Sequence, residues 1–106
     1  MEKINYLEAL LFIANEIGTT HLSVSKAFKG CALYSVEFYG CETKECPSDA
    51  TLASLSGTGK TIEEACESYF NRIRNKYLVF HAYHSIRHET WFETEFEKYK
   101  NYKVEE

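Results

Sequence analysis

Apolar side chains recur along residues 4–17 at Ile4, Leu7, Leu10, Leu11, Ala14 and Ile17. That is close to the period of about 3.6 residues that gives a helix one buried stripe. Gly18 follows as a natural helix stop. The period then shortens to that of a strand. Leu22, Val24 and Phe28 alternate with His21, Ser23, Ser25 and Ala27, and Lys29-Gly30 is short enough for a hairpin turn. A second strand over 31–39 sets Ala32, Tyr34, Val36 and Phe38 on one face against Leu33, Ser35, Glu37 and Tyr39. Residues 40–49 read as a loop and 50–56 as a third strand.

Thr61-Ile62-Glu63-Glu64 has the form of a capping box, in which a hydroxyl and a carboxylate satisfy the first free N–H groups of a helix. Ile62, Ala65, Cys66, Tyr69, Phe70 and Ile73 continue it as a helical stripe. Residues 77–83 are rich in strand formers and read as a buried strand. Thr90-Trp91-Phe92-Glu93 repeats the capping-box pattern and predicts a last helix, with Phe92, Phe96, Tyr99 and Tyr102 on one side. The expected fold class is α+β in the order α-β-β-β-α-β-α. It has one antiparallel sheet of three to four strands and helices packed on one face.

The 106 residues suit a single domain spanning 1–106. No apolar run approaches the roughly 20 residues of a membrane span. Met1-Glu2-Lys3-Ile4-Asn5 lacks the basic-then-apolar pattern of a signal peptide, so a cytoplasmic protein is expected. A net charge of −4 disfavours wholesale binding to phosphate backbones. In that compartment the four cysteines point to reduced thiols or a metal site rather than to disulfides.

Gly57-Thr58-Gly59-Lys60-Thr61 opens a helix and ends in Gly-Lys-Thr. A phosphate loop needs a further glycine where this chain has Ser54. It also needs a parallel sheet. The segment therefore reads as a glycine-rich turn feeding a capped helix, and no nucleotide is expected. The order α-β-β-β-α over 4–75, with this glycine turn before its second helix, resembles the double-stranded RNA-binding domain. In that family two lysines after the turn grip phosphates across the groove. Here Lys60 is followed by Glu63 and Glu64, which would repel RNA. The resemblance implies the fold and, as a second function, a nucleic-acid-binding module. The Gly-x-Gly-Lys-Thr-x-Glu-Glu-Ala helix start followed by Leu78-Val79-Phe80 is also similar to small phage-encoded inhibitors of host defences, anti-CRISPR proteins among them. That similarity implies a non-catalytic binding protein in the host cytoplasm. Its partner would be a larger protein with a basic surface, such as a CRISPR effector nuclease.

Cys41 and Cys46 could supply half of a zinc site. Tracing one sheet from strand to strand puts His21 at their end and His84 and His88 at the other. The expected metal cluster is therefore Cys41, Cys46 and His21, with Cys31 beside His81, His84 and His88 as the alternative. A zinc-stabilised structural domain is the third functional reading. Cys66, on the apolar stripe, reads as core. In the last helix Glu89, Glu93 and Glu97 recur at four-residue spacing without a lysine or arginine among them. Like charges at that spacing repel. They suit a basic partner, with Trp91 and Tyr102 at the stripe's margin as apolar anchors. No thiol–imidazole, paired-carboxylate or cofactor signature supports catalysis. The first expectation is a non-catalytic binder, an inhibitor or adaptor, with Glu89, Trp91, Glu93, Glu97 and Tyr102 at its interface.

Overall fold

The computed structural model describes residues 3–28 and 33–105. The Lys29-Gly30 turn and Cys31 lie outside those residues. The elements are α1 (Tyr6–Ile17), β1 (Leu22–Ala27), β2 (Leu33–Phe38), β3 (Cys41–Lys44), β4 (Gly57–Gly59), α2 (Ile62–Ile73), β5 (Tyr77–Phe80), β6 (His88–Trp91) and α3 (Phe92–Glu105). Among the described residues no helix is long and apolar enough to cross a membrane.

The fold is α+β with antiparallel pairing throughout, but the strands form two sheets, ordered β1-β2-β4 and β3-β5-β6. Three local features overturn the expected single sheet. Gly40, at φ 69, closes a tight turn after β2, so the expected loop opens with strand β3, which joins the other sheet. The expected third strand contributes only an isolated bridge, Ala53 to Thr43. Strand β4 forms instead in the glycine turn, and β6 takes the residues expected to begin the last helix.

The end of α1 and the start of α2 follow their sequence signals. Asn5 Oδ1 accepts from Glu8 N at 3.0 Å to open α1, and Gly18, at φ 83, ends it. Thr61 Oγ1 accepts from Glu64 N at 3.1 Å, while the Glu64 carboxylate accepts from Lys60 N at 2.9 Å. The glycines of the Gly-Lys-Thr segment are there for packing. A Cβ at Gly57 would lie 2.2 Å from Tyr69 N and 2.3 Å from Ala65 O, so β4 meets the backbone of α2 with no room for a side chain.

The core lies where α1 and α2 cover the first sheet and α3 closes on α1, with Leu10, Ile13, Val36, Phe38, Tyr69, Phe70, Phe80 and Phe92 fully buried. Cys66 is among these core residues, as its stripe predicts. A buried hydrogen bond helps to join the layers. In antiparallel pairing alternate residues direct their N–H and C=O to opposite neighbours. With Tyr39 N bonded to His21 O, Phe38 N faces the β4 side, where β4 is too short to meet it. The buried Tyr69 hydroxyl accepts that N–H at 3.1 Å.

Candidate functional site

The residues predicted from sequence do not gather as expected. Cys41 opens β3 and Cys46 lies beyond its far end, so the extended strand puts roughly 10 Å between them. Cys46 is exposed, with its sulfur 3.5 Å from Ser48 Oγ. Cys41 is buried beside Tyr69, and loss of solvent pushes its thiol up to about 12, which keeps it neutral and a poor nucleophile. His21 stacks on Tyr39 at 4.9 Å. Among the described residues no three His, Cys, Asp or Glu side chains are placed to hold a metal ion.

The acidic residues are also arranged differently. Glu89 is on β6 rather than α3, and its carboxylate pairs with Lys44 at 2.5 Å and with Arg87 at 2.8 Å. Hydrogen bonds from Lys44 and then Arg87 hold the Glu89 carboxyl below its ordinary range, outweighing the opposing effect of burial. Glu93 takes both arms of the Arg74 guanidinium at 3.2 Å and the N–H of Asn75, which stands at φ 60 where the chain leaves α2. Glu97 pairs with Lys100 at 2.9 Å. The second expected capping box does not form, because Thr90 donates to the buried carboxylate of Glu95. Trp91 packs on Tyr77 at 4.7 Å, and Tyr102 on Phe12 at 4.9 Å. Glu89, Glu93, Trp91 and Tyr102 thereby hold the last strand and helix to the rest of the molecule, while the Glu97 pair lies within α3.

The sequence tracing put His84 and His88 far from His21 and Cys41. Pairing β3 with β5 reverses this: Cys41 is in register with Phe80, and Phe80 with His88. All four histidines of the chain therefore reach the end of the molecule where the two sheets meet.

That end is tightly fastened. His81 N donates to Gly40 O at 2.8 Å. The His81 ring Nε2 lies 2.6 Å from Thr19 O, and a carbonyl can only accept, so Nε2 carries the proton. Thr20 Oγ1 donates to Tyr39 O at 2.6 Å, which ties the α1–β1 turn to the β2–β3 turn. His81 stands at φ 54, a backbone conformation that non-glycine residues adopt at a cost of order 1 kcal/mol. Gly40 is required twice over, by its own positive φ and because a Cβ there would lie 2.8 Å from the His81 ring. Arg87 closes the β5–β6 loop by donating to Ala82 O at 3.2 Å while paired with Glu89.

Large side chains project from this fastened backbone into solvent. Tyr39 is 56% exposed, Tyr83 86% and Ile86 53%. Beside them is an open cleft of about 420 Å³ lined by Glu37, Tyr39, Glu42, His81, Tyr83 and His84 among others, with no lysine or arginine among the described residues of its wall. Sequence reading missed this site because its parts come from three separate turns. The one local signal was the density of Tyr, His, Ile and Arg in residues 81–87.

No family model, curated protein or solved structure matches the chain.

Proposed function

We propose that the chain is a non-catalytic binding domain that recognises another protein with the end carrying Tyr39, Tyr83, His84 and Ile86. One observation carries this reading: large apolar and aromatic side chains stand in solvent on backbone that hydrogen bonds hold in place from three directions. Tyrosine offers a wide, rigid contact surface and has little conformational freedom to lose on binding. A backbone already ordered before binding reduces that loss further. Strain at His81 marks the same spot, and strained residues gather where proteins bind or react. Chemistry has less support. The thiol nearest the cleft is buried and protonated, and the imidazole of His81 is committed to Thr19 O. An inhibitor or adaptor that acts by covering a surface needs no reacting group of its own.

The reading is tested by using the chain as bait in extract of the cells that make it. Three baits are compared: wild type, Tyr39→Ala/Tyr83→Ala, and Glu97→Lys. A protein retained by wild type and by Glu97→Lys should be held at least about tenfold more weakly by the double variant, as expected when central aromatic anchors are removed. Equal retention by all three baits would contradict the reading.

A further inference from the structure

Resting on that reading, we infer that the cleft between Glu37 and Glu42 receives an arginine side chain of the partner. Most carboxylates near strand and helix junctions already have a cation or an N–H: Glu8, Glu45, Glu89, Glu93, Glu95 and Glu97 each pair with a lysine or arginine, and Glu64 with Lys60 N. The side chains of Glu37 and Glu42 have no hydrogen-bond or ion-pair partner among the described residues. They belong to consecutive strands, on either side of the Tyr39-Gly40 turn, and both line the cleft.

The rest of the wall fits the same guest. Ser23, in register with Glu37, and Ser54 add hydroxyl groups, and the exposed Tyr39 and Tyr83 rings border the cleft. A guanidinium is planar, donates five N–H groups in a fixed fork and stacks on aromatic faces, so it can use carboxylates and tyrosine rings together. An ammonium group is a compact, strongly hydrated point charge and uses the rings less well. An anionic guest would meet two carboxylates and, among the described residues, no cation. Charge complementarity and ring placement therefore select a partner segment that presents arginine.

The test uses the full chain, labelled for amide NMR, and two probes: acetyl-Gly-Arg-Gly-amide, and the same peptide with neutral citrulline in place of arginine. The arginine peptide should shift the amides of 37–42 and 81–84 saturably, with a dissociation constant on the order of 1 mM. The citrulline peptide should bind about tenfold more weakly, the loss expected when a charge-assisted hydrogen bond becomes neutral. Glu37→Gln/Glu42→Gln should weaken the arginine peptide by a similar factor while leaving the thermal midpoint unchanged. Equal binding of the two peptides, shifts elsewhere on the chain, or unchanged binding by the double glutamine variant would each overturn the inference. In the bait experiment, a glutamine variant that keeps the partner when Tyr39→Ala/Tyr83→Ala loses it overturns the arginine guest alone. Retention by both variants overturns the surface as well.

Discussion

Two regions of this chain are rich in carboxylates and aromatic rings, and they use them in opposite ways. Around β6 and α3, Glu89 and Glu93 are paired with Lys44 and Arg74 from earlier in the chain, Glu97 with Lys100 on its own helix, and Trp91 is packed on Tyr77. At the end around Gly40, Glu37 and Glu42 face an open cleft without partners among the described residues, and Tyr39 and Tyr83 stand in solvent. The first region spends its charges and rings on holding the molecule together, and the second keeps them available. Acidity along one segment therefore says little about binding until the strands that bring up the cations are placed. Lys44 lies 45 positions before the Glu89 it neutralises, and no local pattern announces it.

The first region is most vulnerable at Glu89. The Lys44 side chain is only 5% exposed, so Glu89→Lys would set two ammonium groups together where one is buried. The expected loss is about 3 kcal/mol or more, read from the urea midpoint. The triple reversal of Glu89, Glu93 and Glu97 to lysine should therefore unfold the protein, while Glu97→Lys alone should change stability by less than about 0.5 kcal/mol. A fully stable triple variant would show that the Lys44 pairing is not structural.

Gly40→Ala probes the opposite region. It forces a Cβ onto a positive φ and into the His81 ring, and should cost about 2 kcal/mol of unfolding free energy. Trp91→Ala should cost about 1–2 kcal/mol through lost packing on Tyr77, yet leave partner retention unchanged. That pairing of effects separates a structural aromatic from a binding one.

A smaller effect is expected with pH. Because the native Glu89 pKa is lowered, the unfolded chain takes up the proton first. The stabilisation is complete above the ordinary value of 4.5 and is lost as pH falls through the lower native value. Thermal midpoints of wild type should therefore fall more steeply below pH 4.5 than those of Glu89→Gln. Parallel profiles would mean that Lys44 and Arg87 do not act on this carboxylate in solution.

The helices were legible because their signals are local. The stripe through Ala65, Tyr69 and Ile73 and the Thr61 cap follow from residues within a few positions of one another. The faces of β2 were legible for the same reason, with Val36 and Phe38 buried as their alternation requires. The division into two sheets was not. It turns on Gly40 adopting a positive φ and on the short β3, whose Cys41-Glu42-Thr43-Lys44 carries little of the β-branched and aromatic character that marks strands. That one turn also decides which end His81, His84 and His88 reach. A single sheet traced without that turn separates His84 and His88 from His21, and the spacing of Cys41 and Cys46 gives no sign of the strand between them.

The central claim is that recognition belongs to the fastened end and not to the acidic face. Hydrogen exchange on the chain alone and in complex with its captured partner tests it most directly. Protection gained on binding should fall on amides of residues 37–42 and 81–87, with 92–105 unchanged. Protection confined to 89–105, with the Gly40 end exchanging as in the free protein, would contradict the account.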